Sequence, residues 1–281
     1  MPPSLPVGLT ERAFAERLGA RPWRLIRTDA APGAWNMGVD VALLEEALRG
    51  GYPVLRFYAW EPPAISLGRF QCPDAGIHWP AVRRRGWEVV RRPTGGRAVL
   101  HQHELTYAVI LPSGVVGGIG VRRSYAVLAE GLRAGLAALA GGAAGAAVCG
   151  GGAPTRHAPA NCFAQALEAD CVLEGGKALG SAQVRHGGAL LQHGSLLLDA
   201  DRDAWREIFG SEGQLRSLRE ITGRKITFCQ AAAVLAQAFA DTWHLHLCSD
   251  ALTPAEMRAA EREAAKWSVG WSGSAGCPPA Q

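Results

Sequence analysis

A cysteine in a loop, a lysine beside a glycine pair, and an arginine doublet ahead of another glycine pair are the residues of this sequence best suited to chemistry. Asn161-Cys162-Phe163 follows a Gly-rich stretch. A loop thiol near cationic groups can serve as a thiolate nucleophile, whereas a buried one is a small apolar filler. The run Lys177-Ala178-Leu179-Gly180-Ser181-Ala182-Gln183-Val184-Arg185 reads as a strand. Its period of two puts Lys177, Ser181, Gln183 and Arg185 on one face, with small residues on the other. Such a face is either a lined site or a solvated strand surface. The run Arg91-Arg92-Pro93-Thr94-Gly95-Gly96-Arg97-Ala98-Val99 leads from a strand end into a glycine turn. There backbone N–H groups can approach a ligand and arginines add positive charge, or the segment is a plain hairpin. Taken by residue type alone, these segments describe a nucleophilic enzyme with an anionic or acyl substrate.

The rest of the chain must position them. Hydrophobic residues make up 48% and charged residues 19% of the 281 positions, the balance of a globular protein. A formal net charge of +4 suits an acidic protein partner and falls short of a nucleic-acid footprint. No apolar run has the length of a membrane span, and MPPSLPVG lacks a signal pattern, so a cytoplasmic setting is expected. Seven cysteines without a CxxC pair argue against a disulfide scaffold or a zinc site. His101 and His103 stand as H-x-H with no further ligand at metal spacing, and read as strand or turn histidines. Strands are expected at Trp23 to Asp29, Pro53 to Trp60, Ala64 to Leu67, Trp87 to Arg91, Thr106 to Leu111 and Ala189 to Leu198. Helices are expected from Asn36 to Arg49 and through Val121, Tyr125, Leu128, Leu132, Leu136 and Leu139. Cys171 to Glu174 and Lys177 to Arg185 read as a hairpin about Gly175-Gly176, and 141–154 as a loop. The remainder reads as helical, with capping boxes at Thr227 with Gln230 and Thr253 with Glu256. Strands and helices mix without βαβ alternation, which predicts an α+β domain over 23–272, after an extension at 1–22 and before a tail at 273–281.

The runs RRPTGGRAVLHQHELTYAVILP (91–112), NCF (161–163) and EGGKALGSAQVRHGGALLQHGSLLLD (174–199) resemble the biotin/lipoate protein ligase and octanoyltransferase superfamily. NMGVDVALLEEAL (36–48) and PAISLGRFQ (63–71) are similar to its first helix and second strand segment, and the likeness extends in order from about Trp23 to Trp271. Within the superfamily, the sequence is most similar to the cysteine-dependent octanoyltransferases that act on the glycine-cleavage H protein. The resemblance implies a biotin/lipoyl ligase-like domain with a mixed β-sheet flanked by helices. It implies that Cys162 accepts the acyl group and that Lys177 is the acid–base lysine. By the same resemblance, Arg92, Thr94, Gly95, Gly96, Arg97, His101, Ser181, Gln183 and His193 shape the substrate site, without metal or cofactor. His103, Ala108 and the Gly/Ala-rich 141–154 stretch depart from the family pattern and put local shape in question.

The activity so implied moves octanoyl from an acyl carrier protein to a lysine of the H protein or another lipoyl domain, with no nucleic acid and no membrane involved. Three other readings stay open: an ATP-dependent lipoate-protein ligase, a lipoyl or octanoyl amidotransferase of the same fold, and a non-catalytic carrier-binding module. Arg97 separates the transferase from the ligase. The adenylate-forming relatives have a third glycine there that makes room for the nucleotide, and an arginine side chain would fill that space.

Overall fold

The computed structural model describes residues 9–73, 76–141, 148–149, 160–164, 170–173 and 176–269. In chain order the elements are α1 (Glu11–Gly19), β1 (Trp23–Arg27), α2 (Gly33–Leu48), β2 (Val54–Tyr58), β3 (Ala64–Leu67), α3 (Trp79–Arg84), β4 (Glu88–Arg91), β5 (Val99–His101) and β6 (Glu104–Leu111). Then come α4 (Ser113–Val116), α5 (Val121–Ala140), β7 (Val148–Cys149), a 3-10 turn at Cys162–Ala164, β8 (Cys171–Leu173), β9 (Gly176–His186) and β10 (Ala189–Leu197). The chain continues through α6 (Arg202–Phe209), α7 (Leu218–Thr222), α8 (Phe228–Trp243), β11 (Leu247–Asp250) and α9 (Pro254–Trp267).

An eight-stranded mixed sheet runs β11-β1-β2-β6-β10-β9-β8-β7, and a three-stranded sheet runs β4-β3-β5. Every residue of β6 is buried, because helices cover the large sheet on both faces. One face packs its leucines and aromatics against α1, α5 and α8; the other meets α2 and Ala260 of α9. A third cluster fills the space between the small sheet, α3 and α6. This is the mixed α+β architecture expected from the sequence, and both expected capping boxes are present. Phe14 and Leu18 of α1 are fully buried in the main core, so this part of the N-terminal stretch packs as an integral layer.

Several details differ from the sequence reading. Helix α2 begins at Gly33, before Asn36. Val121 opens α5 with 51% exposure, whereas Leu128, Leu132 and Leu136 face the core. The chain after Leu198 is expected to be helical, yet β11 adds a parallel edge strand beside β1. Within the expected 141–154 loop, β7 pairs with β8. Of the expected hairpin turn at Gly175-Gly176, Gly175 lies outside the described residues and Gly176 already opens β9. Cys171 is disulfide-bonded, a feature that the odd cysteine count and absent CxxC gave no reason to expect.

Two close approaches knit the small sheet to the loops around it. A Cβ on Gly68 would stand 1.9 Å from the carbonyl oxygen of Gly96, and Gly96 has φ +95° with the Arg92 guanidinium against it. Gly68→Ala is therefore expected to lower unfolding stability by about 1–3 kcal/mol. Gly114→Ala, with nothing within 4 Å of the added atom, should be close to neutral. Urea unfolding of both variants checks this; equal effects would mean the approach does not matter.

Candidate active site

The cysteine segment is held from two sides by backbone. On one side Ala98 N donates to Ala160 O at 3.0 Å, and Cys162 N donates to Ala98 O at 2.8 Å. On the other, Gln214 N donates to Phe163 O at 3.0 Å. Phe163 is fully buried and meets Trp205 edge-on at 5.3 Å, which anchors the short turn that presents Cys162. Gln214 also accepts from Lys177 N at 2.6 Å, so one segment fastens both the cysteine turn and the lysine strand.

Lys177 reaches the cysteine because β9 is irregular. Cys171 opposes Leu179 while Val172 opposes Lys177, which leaves Ala178 as an extra residue in β9. A bulge of this kind breaks the alternation of side chains, and both Ala178 and Leu179 face the main core. The expectation that Lys177 shares a face with Ser181, Gln183 and Arg185 is thereby corrected. Arg185 and Gln183 bond Ser124 of α5, whereas Lys177 turns to the thiol. Its Nζ lies 3.3 Å from Cys162 Sγ and donates to Cys162 O at 2.8 Å. The same Nζ pairs with Asp170 Oδ2 at 2.7 Å and sits 5.0 Å over the Phe163 ring. Lys177 has no exposed surface, and Asp170 supplies the counter-charge that an ammonium so buried requires.

Beside the thiol opens a cavity lined by Arg92, Gly96, Arg97, His101, Ser181 and His193 among the expected site residues, with Trp60, Tyr58 and Met37 as apolar wall. Arg92 is buried, and its guanidinium donates to the carbonyls of Ser66, Gly95 and Arg97. Burial draws it down from its usual range, with partial relief from nearby Cys162. His101 stacks on Trp60 at 3.8 Å and bonds Glu104 and Ser66. His103 lies apart in a left-handed turn, φ +53°, and the described residues form no cluster able to hold a metal ion.

Four expected site residues do not line the cavity: Lys177, which meets it only through Cys162, and three others. Thr94 Oγ1 is spent on His193 Nε2 at 2.7 Å. The Gly95 carbonyl accepts from Arg92. Gln183 bonds Gln192 and Ser124 on the opposite face of the sheet. Sequence reasoning missed Asp170, and it missed Asp40 with Arg56, an ion pair of 2.6 Å with no exposed surface. Burial alone would raise the Asp40 carboxyl, but the His193 hydrogen bond and the Arg56 charge outweigh it and hold it below the usual range. His193, which bonds Asp40 at 2.9 Å, is drawn down by burial in spite of that partner. A carboxylate within the apolar helix run MGVDVALL was the available signal for Asp40. Asp170 had none, since its partner depends on the bulge.

The lipoyl protein ligase A/B catalytic domain family matches residues 32–240. The curated protein "Octanoyltransferase LipM" of Kyrpidia tusciae is 38% identical over 264 residues, covering 87% of this chain and 96% of that one. Its namesake in Symbiobacterium thermophilum is 37% identical, covering 85% and 93%. Among solved structures, lipoate-protein ligase A bound with ATP superposes with a TM-score of 0.76 at 20% identity, covering 88% of this chain and 95% of that one. A putative lipoate protein ligase from T. acidophilum with bound lipoic acid gives the same TM-score at 21% identity, covering 88% and 96%. These two likenesses establish the fold.

A double-mutant cycle on Lys177→Met and Asp170→Asn tests the buried pair. Their unfolding free energies should be non-additive by more than about 1 kcal/mol, as for groups in one network. Additive losses would mean that the two side chains do not act as a pair.

Proposed function

From the premise that the chain belongs to the lipoyl protein ligase A/B catalytic domain family, we propose that it passes an octanoyl group from an acyl carrier protein thioester to a lysine of the glycine-cleavage H protein through a Cys162 acyl-enzyme. The chain is an acyltransferase, an octanoyltransferase of lipoate biosynthesis like the relatives it matches over most of its length. The observation that carries the finer reading is the 3.3 Å approach of Lys177 Nζ to the Sγ of Cys162, a residue of the cavity wall.

In this reading the Cys162 thiolate adds to the thioester carbonyl, and the carbon–sulfur bond to the phosphopantetheine breaks. The Lys177 ammonium hands its proton to the departing sulfur and is left neutral. The neutral amine of the acceptor lysine then attacks the acyl-cysteine, the second carbon–sulfur bond breaks, and Cys162 leaves as thiolate. Lys177 takes the proton released as the amide forms, which restores the ammonium beside Asp170. Protons and charges balance over the two steps, and thioester to amide runs downhill, so no nucleotide takes part. The apolar side chains of Met37, Tyr58 and Trp60 suit a hydrocarbon tail. The reaction belongs in the cytoplasm, and 23–272 serves as the catalytic domain.

The ligase fold alone does not separate transfer from adenylation. Arg97 argues for transfer. It lines the cavity in place of the third glycine, and the neighbouring Arg92 is already engaged with backbone carbonyls.

Cys162→Ala should abolish H protein octanoylation and any octanoyl adduct seen by intact mass, while Cys229→Ala, at an exposed cysteine, keeps most activity. Near-native turnover by Cys162→Ala would end the acyl-enzyme reading. Lys177→Ala should slow transfer by about two to four orders of magnitude. Lys177→Arg should restore little, since arginine does not give up its proton; full rescue would reduce Lys177 to a fixed charge. Octanoyl-carrier without ATP or magnesium should modify the acceptor, and free octanoate with ATP should not. Robust product from the free acid and ATP would make the protein a ligase.

A further inference from the structure

The loop after β3 carries Phe70, which is 71% exposed, more than any other large hydrophobic side chain among the described residues. A lone exposed apolar residue is ordinary on a protein surface. The unusual feature is how firmly this one is held in water. Arg91 donates through a single nitrogen to the carbonyls of Gly68, Arg69 and Gln71, at 2.7, 2.9 and 3.0 Å. Arg69 N donates to Thr94 O at 2.9 Å, and Gln71 Nε2 donates to Ala160 O at 3.1 Å. The loop is thus fixed at once to the arginine-glycine turn and to the segment that bears Cys162. Fixing a backbone costs conformational entropy, and here it leaves an aromatic ring standing in solvent, with the Arg69 guanidinium 5.6 Å from its centre.

The charge beside the ring is positive: within the loop at 68–73 the one charged side chain is Arg69, which stands over the ring's face. Gly68 lies against Gly96, and Gly96 and Arg97 line the cavity, so the loop that carries Phe70 abuts the cavity wall. The occupant follows from reach. A donor thioester enters on a long flexible phosphopantetheine arm, and its carrier can sit at a distance. An acceptor amine enters on no more than a lysine side chain, and Cys162 is half-buried. The surface around that lysine must therefore press on the rim.

We infer that Arg69 and Phe70 form the docking knob for the acceptor domain, a protein that presents a protruding lysine beside an apolar recess and acidic side chains. The inference rests on the acyl-transfer reading, because that reading brings a lysine-bearing protein to this opening.

The test is a titration of apo H protein against the wild-type protein, Phe70→Ser and Arg69→Ser, alongside acylation of Cys162 followed by intact mass. Phe70→Ser should raise the Kd about tenfold or more, as for an interface anchor. Arg69→Ser should weaken binding and flatten its dependence on salt. Octanoyl-CoA and octanoyl-carrier should acylate Cys162 at unchanged rates in both variants. An unchanged Kd for H protein overturns the inference. So does slower acylation from the carrier alone, which would assign the knob to the donor, or from octanoyl-CoA, which would make the loop a prop for Cys162. If the wild-type protein takes up no octanoyl group, the acyl-transfer reading fails, and the binding comparison still decides the knob.

Discussion

An ammonium group without solvent sets the terms for the site. Lys177 has no exposed surface, and a bare charge in that position would be destabilising by several kcal/mol. Asp170 at 2.7 Å, the Cys162 carbonyl at 2.8 Å and the face of Phe163 together replace the lost water. Each of these groups is brought by a different constraint. Asp170 stands just ahead of β8, Cys162 and Phe163 are set between Ala98 and Gln214, and the bulge at Ala178 aims the lysine at all three. The placement of Lys177 beside Cys162 thus rests on the same set of contacts that makes the buried charge tolerable.

A second buried charge system supports the first from the other side of the cavity. Arg56 and Asp40 tie β2 to α2, Asp40 bonds His193 on β10, and His193 bonds Thr94 in the arginine-glycine turn. That chain of hydrogen bonds crosses from the helix layer through the sheet to the loop over the cavity. Networks of this type rigidify the groups they join, here with Arg56 Nε left buried and without a hydrogen-bond partner. They explain why Thr94, expected to touch substrate, instead fixes the turn from which Gly96 and Arg97 line the cavity.

Much of this was legible in the sequence, and the remainder was hidden for identifiable reasons. The α+β class, the helix α5 and the two capping boxes follow from periodicity and local hydrogen bonding, which are properties of short segments. Cys162 and Lys177 stood out by residue type, and likeness to a family of ligases and transferases joined them. Their contact could not be read, because one extra residue in β9 reverses which face Lys177 occupies. Gln183 was misjudged for the same reason: perfect alternation grouped it with Lys177, and the bulge separates them. Asp170 carries no local mark, since an acid before a short strand is ordinary until the partner strand turns a lysine toward it.

The same geometry bears on how one fold serves both activation and transfer. A ligase must hold a nucleotide over the acyl carboxylate, and bare backbone at the turn provides the space. Here the turn is closed by its own arginines: Arg92 fills its hydrogen-bonding capacity with Ser66, Gly95 and Arg97, and Arg97 stands in the wall of the cavity. An acyl group that arrives already activated as a thioester needs no such space. It needs a nucleophile that can leave again, and Cys162 beside an ammonium fits that need, because a thiolate is both a good attacker and a good leaving group. Cavity shape and nucleophile therefore argue the same way from independent residues. On the proposed acyl-enzyme reading, an arginine at this turn costs the reaction nothing, because the thioester brings its own activation.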